Sequence, residues 1–139
     1  MHALIFLIDK QQFAFDLAWI ERVIRIVEIT PKPHAPSSLL GMINLQGQII
    51  PVFNLRALMG LPQKDIDLND QLIICQVENR KIALWIDAVK QVISYSHDQL
   101  SPANEIFPNE EARNWIIKNE DQITLLYDLH QLLTLETSS

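Results

Sequence analysis

Four histidines, one cysteine and seven serines are the residues of this chain best suited to nucleophilic, acid–base or metal chemistry, and their spacing works against all three. His2, His34, His97 and His130 lie far apart, without the His-Glu-x-x-His or Cys-x-x-Cys framing that gathers ligands around one ion. No serine sits in the Gly-x-Ser-x-Gly elbow that lifts a nucleophile above a sheet. The glycines are Gly41, Gly47 and Gly60, and no Gly-Lys-Ser or Gly-Lys-Thr occurs, so there is no phosphate loop. Glu110-Glu111 and Glu120-Asp121 stand in polar stretches and read as solvated faces rather than acid–base pairs. Cys75 ends a Leu-Ile-Ile-Cys run and reads as a buried thiol, and His130 reads as a surface residue. Trp19, Trp85 and Trp115 lie in or beside apolar strands and read mostly as core. Neither a catalytic residue, a metal nor a cofactor is expected.

Composition narrows the remaining classes. With 139 residues, 48% hydrophobic and 20% charged, the chain can bury a core and lacks the signature of disorder. A net charge of −6 argues against nucleic acid as a partner, because phosphate binding needs clustered Lys and Arg. Residues 1–64 hold six Lys or Arg against four Asp or Glu, whereas residues 65–139 hold five against thirteen, a split that suggests two surfaces. Apolar runs such as Ala3 to Ile8 are too short to span a membrane, and nothing resembles a signal peptide. The expectation is a soluble cytoplasmic domain without direct membrane insertion.

The elements that must position any site follow the strand period. Phe13, Phe15 and Leu17 alternate with polar or small residues after a turn at Asp9-Lys10-Gln11, and Val23 to Ile29 is largely β-branched. Residues 30–38 form a loop with three prolines. Met42 to Leu45 and Ile49 to Phe53 flank a hairpin turn at Gln46-Gly47, with Pro51 marking a local edge or bulge. Asn54 caps a short helix, Leu55 to Met59, that Gly60 closes. Pro62 to Asp70 reads as a connection. Beyond it come Leu72 to Val77, a turn at Glu78-Asn79-Arg80, and Ile82 to Ile86. Residues 97–114 read as a long polar connection and the most mobile part of the chain.

The two halves resemble each other. Ala3 to Phe15 runs beside Leu72 to Leu84, and the register continues without a gap to Val23-Ile24 and Val92-Ile93. Later, Phe53 to Met59 matches Tyr127 to Leu133, with Asn54 and Asp128 as equivalent caps. Two small barrels of about five strands each fit this order. The division is expected near residue 70, with one subdomain from about 12 to 70 plus terminal pairing and the other from about 71 to 133. Ile20-x-x-Val23 and Val89-x-x-Val92 hold equivalent places, and pattern alone leaves open whether they form an inter-barrel core or line a groove.

The order Phe13-Ala14-Phe15-Asp16, Ile20-x-x-Val23, a proline loop, and then Gly41-Met42-Ile43-Asn44-Leu45-Gln46-Gly47-Gln48-Ile49-Ile50-Pro51-Val52-Phe53-Asn54-Leu55-Arg56 resembles the CheW-like family of bacterial chemotaxis coupling proteins. The second half, with Ile86 to Ile93 and Leu125 to Leu133, is similar to the rest of that domain. The resemblance implies an all-β fold with short helices, built as two five-stranded SH3-like β-barrel subdomains, and a non-enzymatic adaptor. It further implies binding to the cytoplasmic tip of a chemoreceptor and to the regulatory domain of the histidine kinase CheA, in rings that include other CheW-like domains at the membrane's inner face. Carried over by position, Ile20, Arg22, Gly41, Gln46, Val89 and Val92 would lie at or near the receptor contact; the resemblance thus favours a groove. The kinase contact is left unassigned.

Four departures accompany the resemblance. Gln46 stands where the family usually has Arg, Arg22 where Glu is common, and Asn54 where Asp is frequent. Glycine is missing from the last hairpin, where Asn119 is expected to make the turn. The core thus looks intact while contact charges have changed, and a receptor tip facing Arg22 is expected to be acidic or neutral. Other readings are a CheW-like adaptor of type IV pilus or other chemosensory signalling, and, from a different class, a small-molecule-binding double barrel with Trp19 or Trp85 lining a pocket.

Overall fold

Apolar alternation from Ala3 to Phe15 breaks at Asp9-Lys10, and there the chain turns: both residues take positive φ, 52° and 68°. This is the local geometry whose twist suits a two-residue hairpin. It joins β1 (His2–Ile8) to β2 (Gln11–Asp16). Glu78-Asn79 does the same between β6 (Gln71–Val77) and β7 (Arg80–Ile86), and Gln46-Gly47 between β4 (Leu39–Leu45) and β5 (Gln48–Asn54). The last hairpin, β10 (Trp115–Asn119) and β11 (Gln122–Tyr127), turns at Glu120 with φ 41°. Asn119, expected to turn there, instead ends the strand opposite Gln122. The remaining strands are β3 (Ile20–Arg25), β8 (Ala88–Ser94) and the short β9 (Leu100–Pro102).

These elements come from a computed structural model of the chain, in which residues 1–110 and 114–134 are described. Two sheets result, ordered β3-β6-β7-β5-β4 and β8-β1-β2-β11-β10-β9. Thr30 follows the line of β3 and pairs with Met42 by two hydrogen bonds of 2.8 and 2.9 Å, closing the first sheet into a barrel. The chain after β8 closes the second through β9, a three-residue strand that gives this sheet six members where five were expected.

The sheets do not divide the chain at residue 70. Each takes its central hairpin from the other half: β1 and β2 sit among late strands, and β6 and β7 among early ones. Apolar alternation fixes which face of a strand is buried, not which strand lies beside it, so this exchange leaves no mark in the pattern. The registers show that the two barrels are copies. Val23 faces Ile73 as Val92 faces Leu4, and Phe53 faces Leu84 as Tyr127 faces Phe15. Even the bulges correspond, one between Ile20 and Arg22, the other opposite Ile5 and Phe6.

Three apolar cores follow. Ile43, Ile50, Val52, Leu72, Ile74 and Ala83 fill the five-stranded barrel with Trp85. Ala3, Ile5, Ala14, Tyr95, Ile117 and Leu126 fill the other. The third lies between the barrels, where the phenylalanines of the first hairpin stack with ring centroids 4.9 and 6.0 Å apart. Two short helices supply its remaining wall, α1 (Leu55–Met59) and α3 (Leu129–Thr134). Their starts follow the sequence closely. Asn54 Oδ1 accepts from the Arg56 and Ala57 amides, Asp128 Oδ1 from the Gln131 amide, and Gly60 ends α1 at φ 70°.

Pro51 is tolerated in β5 because pairing with β7 begins only at Val52, so its missing donor is on a locally open edge. Within the connection expected over 97–114 lie a 3-10 turn at His97–Gln99, β9, and α2 (Ala103–Ile106), while 111–113 lie outside the described residues.

Candidate functional site

β3 and β8 each stand at one end of a sheet's strand order and occupy equivalent positions in the repeat. Ile20 and Val23 on one, and Val89 on the other, are half-buried against the same inter-barrel core. Each contributes to the seam and keeps an outer face. Val92 is further out, with 50% of its surface exposed, an apolar side chain offered to solvent on β8. Arg22 is exposed on β3, next to the bulged Glu21, which pairs with Lys81 Nζ at 3.1 Å.

Gly41 and Gln46 are elsewhere. They lie on β4 and its turn, at the opposite end of the hydrogen-bonded order from β3. Gly41 is buried at φ 149°, and a Cβ there would stand 2.1 Å from the Thr30 carbonyl oxygen. Its backbone must approach the strand closure that Thr30 makes, which is a packing reason for glycine. Gln46 is exposed at φ 53°, and Asn44 Oδ1 supports its turn by accepting from the Gly47 amide at 2.9 Å. Ile20 and Val89 thus pack on one core from equivalent strands of the two barrels, Arg22 and Val92 are exposed on those strands, and Gly41 and Gln46 lie on β4 and its turn.

The seam is held by a charge cluster that the sequence did not reveal. Arg56, 2% exposed, donates to Asp9 Oδ1 at 2.8 Å and to both Asp87 oxygens at 2.8 and 3.1 Å. It also donates to the Pro62 carbonyl at 3.0 Å. Burial alone would lower its pKa; the hydrogen bonds and charges of Asp9 and Asp87 outweigh that and raise it, so it stays a cation. Nearby, Asp70 accepts from the Trp85 indole at 2.9 Å, the Asp67 amide at 2.8 Å and Lys64 at 3.0 Å. Burial would raise the Asp70 pKa, but these donors together hold it below the ordinary value. Trp85 is buried, 2% exposed, between Arg56 and Lys64, each less than 6 Å from its ring, so its ring is closed to a ligand; the reading of Trp85 as a ligand wall is corrected accordingly. A lone Arg in an otherwise apolar five-residue helix was the one local signal for this clamp.

The model of the CheW-like domain matches residues 2–137. The chain belongs to the CheW-like family. It is 27% identical over 134 residues to the chemotaxis protein CheW of Rhizobium meliloti, covering 94% of this chain and 86% of that one. Against the chemotaxis protein CheW of Thermotoga maritima it is 28% identical over 128 residues, 92% of this chain and 84% of that one. The crystal structure of the scaffolding protein TtCheW from Thermoanaerobacter tengcongensis superposes with a TM-score of 0.83 at 26% identity, over 94% of this chain and 90% of that one.

Within this CheW-like chain, the stretch from Gly41 to Arg56 is one continuous hairpin-and-helix unit. Most of it serves the fold itself, since Gly41 meets Thr30, Gln46-Gly47 turns, Asn54 caps and Arg56 clamps the seam. Contact chemistry is left to the exposed positions around the CheW-like core. Among the described residues no group of three or more His, Cys, Asp or Glu is placed to hold a metal, and no helix is long and apolar enough to cross a membrane.

Proposed function

We propose that this CheW-like chain is a non-enzymatic coupling adaptor that binds a chemoreceptor's cytoplasmic tip and the regulatory domain of the histidine kinase CheA, within receptor arrays at the membrane's inner face. The observation that carries this reading is the pair of equivalent strands, β3 and β8, whose Ile20 and Val89 are only half-buried on a shared core, with Val92 exposed on the same strand as Val89. An amphipathic receptor helix laid on that seam would cover its apolar stripe, the usual way a helix docks in a groove. Arg22 would meet acidic or neutral receptor groups at its rim. Gly41 and Gln46 belong to the contact only where the partner also reaches the β4–β5 turn, with Gln46 a hydrogen-bonding rather than a charged contact. Other CheW-like domains are the natural further partners in a ring.

Calorimetry or co-sedimentation with a receptor cytoplasmic fragment and a kinase regulatory domain from the same genome tests the proposal. Saturable binding to both is expected. Binding to the kinase alone would remove the receptor half of the proposal, and binding to neither would leave only the fold.

A further inference from the structure

At one end of the six-stranded barrel lies a cleft of about 280 Å³ in which two carboxylates, Asp16 and Asp128, meet the aromatic side chains of Trp19, Tyr95, Trp115 and Tyr127. The five-stranded barrel supplies an internal comparison. By strand register, Asp16 opposite Ala3 corresponds to Trp85 opposite Leu72, and Trp115 opposite Leu126 corresponds to Gly41 opposite Val52. Tyr127 corresponds to Phe53 and Asp128 to Asn54, so neither carboxylate has an acidic counterpart; the acid beside Trp85 is Asp70, which is already paired with Lys64. There the positions of the cleft are buried: Trp85, Gly41, Phe53 and Asn54 are all core. The fold is therefore built at these positions without either carboxylate and without an exposed indole. In the six-stranded barrel the same positions bring two carboxylates and aromatic side chains to an open cleft.

The chemistry of that lining selects its occupant. Aromatic faces and carboxylates both favour positive charge, and a desolvated cation over an indole is held more tightly than one in water. Among the described residues that line the cleft, His97 is the one able to carry positive charge. Each carboxylate already commits one oxygen to the backbone, Asp16 Oδ1 to the Ala18 amide at 2.9 Å and Asp128 Oδ1 to the Gln131 amide at 3.2 Å. A guanidinium binds carboxylates best as a two-pronged fork and would have to share one oxygen of each with a cap amide, whereas a methylated ammonium needs only charge and aromatic rings. Burial, with the charge of Glu110, pushes the Tyr127 hydroxyl up to about 12, so that wall stays neutral. We propose that this cleft is a binding site for a small organic ammonium ion, separate from the seam between the barrels.

The test uses the full chain with its three tryptophan indole N–H signals followed by NMR. Tetramethylammonium and choline are titrated at constant ionic strength against 3,3-dimethylbutanol, the uncharged analogue of choline. Saturable shifts of the Trp19 and Trp115 signals with an unmoved Trp85 are expected, with the alcohol at least about tenfold weaker, the weight of one partly desolvated charge. Asp16→Asn keeps the acceptor for Ala18 and is expected to weaken the ammonium about five- to tenfold without changing the unfolding midpoint; Trp115→Leu is expected to abolish the saturable shift of Trp19. Linear shifts without saturation, an equal response to the alcohol, or tighter binding of guanidinium than of tetramethylammonium would each overturn the assignment.

Discussion

Arg56 and Asp9 are 47 residues apart in the chain and 2.8 Å apart in the fold, and their ion pair ties a helix growing out of one barrel to the hairpin turn of the other. The repeat places a weaker version of the same link across the molecule, where His130 Nδ1 lies 3.3 Å from Glu78 on the turn of the second exchanged hairpin. Both helices thus reach across the seam to the turn of the opposite barrel.

Arg56→Leu is expected to cost about 2–3 kcal/mol in urea unfolding. The loss of a buried pair is larger in general, but Asp9 and Asp87 are partly exposed and regain water. His130→Ala, removing an exposed partner, is expected to cost less than about 0.5 kcal/mol. Equal costs for the two would mean the clamp is not asymmetric.

Asp70 gives stability a defined pH dependence. Its folded pKa lies below the ordinary 3.8, so the unfolded chain binds the proton first as acid is added. The stabilisation is complete above 3.8 and is lost as the pH falls below it through the depressed value. Urea midpoints measured from about pH 6 downward should therefore fall more shallowly for Asp70→Asn than for the parent chain; parallel curves would remove Asp70 from the acid response.

Gly41→Ala is expected to destabilise by about 3 kcal/mol or more, because the new Cβ overlaps the Thr30 carbonyl and the backbone is one that L side chains avoid. Gly47→Ala, at φ 85° with open space around it, should cost only about 1 kcal/mol. Chemical unfolding of the two variants side by side decides whether the first glycine is there for packing.

Arg22→Glu should leave the unfolding midpoint unchanged, since Arg22 is exposed, yet weaken the complex with the cognate receptor fragment, mainly at low salt. Val92→Ser, also at an exposed site, should weaken it at every salt concentration. Calorimetry at two ionic strengths separates the two effects, and unchanged affinity in both variants would move the receptor contact away from β3 and β8.

Cys75 is buried in β6, and burial pushes its thiol up to about 12. It should resist thiol reagents at about pH 8 for as long as the chain is folded and react promptly in denaturant. Prompt reaction of the native protein would show that β6 opens.

What could be read from the residues was what neighbours in sequence decide. Asn54, Gly60, Asp128 and the Gln46-Gly47 turn act within a few residues of themselves, and each lies where its chemistry pointed. The equivalence of Ile20 and Val89 was legible because a repeat carries register across the whole chain. Arg56, Asp70 and Gly41 were not legible as structural residues, because their partners lie far along the chain: Asp87, Trp85 and Thr30. The exchange of hairpins was hidden for a related reason, since a strand buried on one face satisfies the same pattern beside any of several neighbours.

That exchange sets an order of events on the ribosome. The five-stranded barrel needs nothing beyond Ile86 and can close while the chain is still being made. The first hairpin to emerge, with Phe6, Phe13 and Phe15, must wait for β8, β10 and β11 before its own barrel exists. A nascent chain halted before Trp115 would therefore present the unpaired edge of β2 and, on the face away from the seam, Ala3, Ile5 and Ala14 without Ile117 and Leu126 to cover them, an exposed edge and apolar face of the kind that invites aggregation.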